Sequence, residues 1–106
     1  GGLLNECDYL WLDAFKSRIA DNLIESLLKY ATLLDEHEAF DTKLLISDII
    51  FRFDSVNEAA LRLKCATYVF MRKQYMAKTT YEHFCREYKS LYDEPFEHSF
   101  NSIISQ

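Results

Sequence analysis

After its second residue the chain has no glycine, and its only proline is Pro95. Glycine and proline supply most of the backbone conformations that tight hairpins need, so their scarcity excludes an architecture of many short strands. No stretch approaches the roughly 20 apolar residues that cross a bilayer as a helix, and the N-terminus has neither the basic flank nor the apolar run of a secretory signal. With no glycine beyond Gly2 there is no glycine-rich loop to cradle a phosphate. Cys7, Cys65 and Cys85 are odd in number and lack metal-ligand spacing. They read as reduced thiols of a cytoplasmic protein, mostly filling the core.

What is present is apolar side chain at helical spacing. Nearly half of the 106 residues, 49%, are hydrophobic and 15% are aromatic, which is enough for the core of one helical domain spanning residues 1–106. Leu12, Phe15, Ile19, Leu23, Leu27, Tyr30 and Leu34 recur every three or four residues and predict one long helix, or two nearly collinear ones, over about 9–36. Such a helix is longer than a domain of this size needs for its own core, so its first half is expected to pack on something else.

A second helix is predicted over about 41–53, apolar on two sides and therefore sandwiched. Ser55 and Glu58 have the spacing of a capping box and predict the start of a third helix that runs to about Lys73. Ala77, Tyr81, Phe84, Cys85, Tyr88 and Leu91 form the apolar stripe of a fourth. Pro95 either stops that helix or fixes the first turn of a short last one carrying Phe96, Phe100, Ile103 and Ile104, which would cap the exposed apolar edge.

The net charge of −5 is unevenly spread. Residues 1–56 hold five Lys and Arg against eleven Asp and Glu, residues 57–90 seven against three, and residues 91–106 none against three. The balance argues against nucleic-acid binding by the domain as a whole. The basic middle can either be attracted to the chain's own acidic flanks or dock an acidic partner.

No constellation of catalytic chemistry competes with the helical pattern. His83 and Cys85 are two residues apart and point to different helix faces, while His37 and His98 lie near predicted helix ends. The carboxylates at Asp35-Glu36-Glu38 and Asp93-Glu94 crowd like charges in water, with no cleft to separate their acidities. Neither a catalytic residue, a metal site nor a cofactor is expected.

An offset of 34 residues sets Leu27 on Leu61, Ala31 on Cys65, Leu34 on Tyr68 and Ile50 on Phe84, with Lys43 standing where Ala77 does and Ser47 where Tyr81 does. That is the length of a tetratricopeptide unit. The order of elements resembles the bacterial transcriptional activator domain, a tetratricopeptide-like module found beside DNA-binding domains in bacterial regulators. The resemblance is carried by Gly2-Leu-Leu4 followed by Trp11-Leu-Asp13, by the link Phe53-Asp-Ser-Val-Asn-Glu58, by Tyr75-Met-Ala77 through Tyr81-Glu-His-Phe84, and by Pro95. Ser55 replaces the usual proline of the link, and Lys73-Gln74 replaces a Gly-Asp turn.

The resemblance implies an all-α, tetratricopeptide-like right-handed stack of about five helices: a long first helix, three more, and a short capping helix at the end. It also implies a piece of a larger regulator that acts by protein-protein interaction, through self-association or contact with other domains of the same regulator or the transcription machinery. DNA would be contacted elsewhere. The alternative is a peptide-binding scaffold unconnected with transcription, taking acidic or C-terminal peptides along Lys29, Arg62 and Lys64. If the pairs stack, the inner face of the first helix of each pair lines a groove. That face comprises Glu25, Lys29, Thr32 and Glu36 in the first unit and Arg62, Ala66 and Val69 in the second, unless it is merely solvated or filled by the last helix. Trp11 is either core or an interface anchor.

Overall fold

The computed structural model describes residues 6–34 and 39–105, with side chains in the first helix described from Ala14 onward. The chain is all-α, with five helices among the described residues: α1 Glu6–Leu33, α2 Phe40–Phe53, α3 Glu58–Phe70, α4 Gln74–Tyr92 and α5 Phe100–Ile104. The first helix is continuous. Helices α1 and α2 pack together, α2 packs on α3, α3 on α4, and α5 lies against α3.

The 34-residue offset is visible in the backbone, since α2 and α4 begin at Phe40 and Gln74. Burial follows the same offset: Ala31 and Cys65, Ile50 and Phe84, and Lys43 and Ala77 are all buried. Lys43 stands buried at the position that Ala77 holds in the second unit, with its Nζ 6.0 Å from the centre of the Phe40 ring. A long side chain with an apolar stem can be buried in this way when its head finds a ring.

Two apolar clusters make the core. One joins Ala31 of α1, Ile46 and Ile50 of α2 and Ala60 of α3; the other joins Leu61 and Cys65 of α3, Ala77 and Phe84 of α4 and Ile103 of α5. Phe51 packs against both and couples the two units. The sandwiched character expected of α2 holds for Ile46 and Ile50, whereas Leu45 and Phe53 are exposed.

The helix boundaries differ from the sequence expectation where local hydrogen bonding intervenes. Asn57, not Ser55, caps α3: its side chain accepts from the amide of Ala60 at 2.9 Å. Asp54 causes the shift, because its carboxylate accepts from the amide of Val56 at 3.2 Å and from the Asn57 side chain at 3.4 Å. That turn uses up residues 54–57 and leaves Asn57, in extended conformation, as the last residue before the helix. The far end of α3 also stops early, at Phe70 instead of Lys73. There Arg72 is left-handed, with φ 62°, and the amides of Arg72 and Lys73 donate to the carbonyls of Val69 at 2.9 Å and Tyr68 at 2.8 Å. This is a Schellman closure with arginine at the position that favours glycine.

Pro95 lies in neither α4 nor α5. Asp93, with φ 56°, ends α4, and Ser99 caps α5 by accepting from the amide of Ser102 at 3.2 Å. Phe96 therefore precedes α5, yet its ring still packs on Phe84 (4.9 Å) and Tyr88 (5.2 Å). The expected capping role of the last helix is met by Ile103, which is almost fully enclosed.

Candidate functional site

Helix α1 ends beside α3, and the seam between them is a groove of about 340 Å³ lined by Leu28, Ala31, Thr32, Ala59, Arg62 and Leu63. Its walls are apolar because Leu28 and Ala31 of α1 face Ala59 and Leu63 of α3, and the alanines keep it open. Polar groups sit at the rim. Arg62 donates to Glu58 one turn earlier at 3.4 Å, and Glu58 also meets His98 Nε2 at 3.1 Å, so the guanidinium belongs to a short polar chain reaching the link before α5. Thr32 donates to the carbonyl of Lys29 at 2.7 Å. Glu25 and Lys29 form a largely exposed pair at 3.6 Å, of the kind that contributes little to stability.

Thr32 and Arg62, assigned from sequence to one inner face, do line one groove. Glu25 and Lys29 are exposed on α1 outside the groove's lining. Lys64 turns toward α2, meeting Asp48 at 2.9 Å with its Nζ 5.9 Å from the centre of the Phe51 ring. Val69 packs with Phe100 and Ile104 on the second apolar cluster, so its part of the face is filled by the last helix. Ala66 is half-buried. Trp11 lies in α1, but its side chain, like the whole of Glu36 and His37, falls outside the described residues.

A second, larger cleft of about 510 Å³ was not anticipated from the sequence. It lies between α2 and α4 with Lys64 of α3 at its edge, above a floor of Phe51 and Phe84 and flanked by Asp48, Thr80, His83 and Glu87. The i, i+3, i+7 spacing of Thr80, His83 and Glu87 was the available signal. It was hidden because such spacing on a helix most often marks a solvated face. The Cys65 thiol is buried and its Sγ lies 3.5 Å from the carbonyl of Ala77; burial pushes its pKa up to about 12, far from a thiolate nucleophile at neutral pH.

Among the described residues no group of three or more His, Cys, Asp or Glu could hold a metal ion, and no helix is long and apolar enough to cross a membrane. The chain matches no protein-family model, no curated protein and no solved structure.

Proposed function

We propose that the chain is a protein-interaction module of a bacterial transcription regulator, built as a right-handed stack of helix pairs and working in the cytoplasm, with DNA contacted by another part of the regulator. The observation that carries this is the open groove between α1 and α3, whose apolar floor and Arg62 rim suit a helix or extended segment offering one apolar anchor and an acidic neighbour. The sequence resemblance supplies the transcriptional context. The net charge of −5 agrees with DNA contact lying elsewhere.

Fusing the chain to a heterologous DNA-binding domain tests the reading. The fusion changes transcription from a reporter carrying that domain's site, while the chain alone leaves the fluorescence anisotropy of random duplex DNA unchanged at physiological salt. A fusion that is stable and occupies its site yet leaves the reporter untouched contradicts a transcriptional role.

A further inference from the structure

The cleft between α2 and α4 is larger than the groove between α1 and α3 and shares no residue with it. At about 510 Å³ it falls in the range of sites that hold a whole small molecule, and a single side chain would leave most of it empty. Its floor is aromatic, with the rings of Phe51 and Phe84 6.4 Å apart and inclined at 57°. Phe84 belongs to the second apolar cluster and Phe51 packs against both, so the floor is held from below. Asp48 stands one turn before Phe51 and Glu87 one turn after Phe84, which sets a carboxylate beside each ring.

The polar groups around this floor are mostly acceptors. Lys64 is the one ammonium that lines the cleft, and its charge is already met by Asp48 at 2.9 Å and by the Phe51 ring. Thr79 and Thr80 donate their hydroxyls to the carbonyls of Tyr75 at 3.0 Å and Met76 at 2.9 Å, which leaves their oxygen lone pairs for a ligand. Glu87 is half-buried and forms no ion pair among the described residues. The exposed basic side chains of the two walls, Arg52, Lys78, Arg86 and Lys89, do not line the cleft. Counting histidine as neutral, Asp48 and Glu87 against Lys64 leave the lining one positive charge short. An anion entering here would face both carboxylates and would have to draw Lys64 away from Asp48, whereas a cation meets Glu87 directly.

We propose that the cleft between α2 and α4 binds a small organic cation, an ammonium or guanidinium on a flat apolar body, with the body on Phe51 and Phe84 and the charge at Glu87. The body leaves water for the aromatic floor, while the head keeps a counter-charge at a rim where solvent still reaches it. This site is separate from the groove between α1 and α3, so it stands or falls apart from the reading of the chain as an interaction module.

Titration of the whole chain with phenethylamine near neutral pH, followed by heteronuclear NMR, tests the proposal. The signals of Phe51, Thr80, His83 and Glu87 shift saturably with a Kd on the order of 1 mM or below, as expected of so small a ligand, while those of Leu28, Ala31 and Thr32 stay in place. Phenylpropionate, of similar size and opposite charge, binds at least about tenfold more weakly. Glu87→Gln keeps the shape of the side chain and weakens phenethylamine by about tenfold, the worth of one charge-assisted hydrogen bond. Glu82→Gln, on the exposed side of the same helix, leaves the affinity unchanged, and circular dichroism of both variants stays native. No saturable shift at the cleft, equal affinity for phenylpropionate, or an unchanged affinity in Glu87→Gln overturns the site. A Phe-Arg dipeptide blocked at both ends that binds more tightly than phenethylamine overturns the free amine as its occupant.

Discussion

Lys73 closes α3 by donating its amide to the carbonyl of Tyr68 at 2.8 Å, across Arg72 in the left-handed region. A side chain with a Cβ is strained there, by about 1 kcal/mol relative to glycine. Against this, glycine makes the unfolded chain more flexible. Arg72→Gly is therefore expected to raise stability by about 0.5 kcal/mol, and a larger gain is not expected. Urea denaturation of the two chains measures the difference as a shift in midpoint at constant slope.

The start of the same helix gives a sharper contrast. Asn57→Ala leaves the Ala60 amide without its side-chain acceptor and should cost about 1 kcal/mol, whereas Ser55→Ala, two residues earlier, should change stability by less than about 0.5 kcal/mol. A capping box built on Ser55 would reverse that order.

Much of the fold was legible in the sequence because helix existence depends on apolar spacing that tertiary contacts do not alter. The stripe of Ala77, Tyr81, Phe84 and Tyr88 and the 34-residue offset both follow from it. The ends of α3 were less legible, because the choice of Asn57 over Ser55 as its cap depended on the Asp54 carboxylate folding back on Val56 and Asn57. The groove was legible in part. Thr32 and Arg62 could be placed on one face, but neither the turn of Lys64 toward Asp48 nor the covering of Val69 beside α5 could be read before the packing of α3 was known.

The short last helix contributes to stability through one side chain more than through its own backbone. Ile103 is 1% exposed within the cluster of Leu61, Cys65, Ala77 and Phe84. Ile103→Ala should cost about 2–4 kcal/mol, the range for emptying an enclosed site of this size. Thermal denaturation followed by circular dichroism would show the melting temperature falling, with the helix content of the native baseline nearly unchanged.

Alkaline pH should destabilise the second unit in particular. Burial pushes the Cys65 thiol up from 9.0 to about 12, and burial together with the neighbouring Cys85 thiol pushes the Tyr81 hydroxyl up from 10.0 to about 12. Both groups ionise more readily once unfolded, so their contribution is complete below pH 9.0 and declines as pH rises toward about 12. Stability measured by urea denaturation should not decline on account of these groups between neutrality and pH 9.0, then fall. Cys65→Ala should make that fall shallower.

The central claim is that the chain works through the groove between α1 and α3, and the measurement closest to it is reporter output from the DNA-binding fusion with one residue changed in each cleft. Thr32→Arg places a bulky charge over the apolar floor from an exposed position and is predicted to abolish the response, while Lys64→Gln, in the cleft between α2 and α4, is predicted to leave most of it. Full output from Thr32→Arg, or its loss in a folded Lys64→Gln chain, would contradict the account.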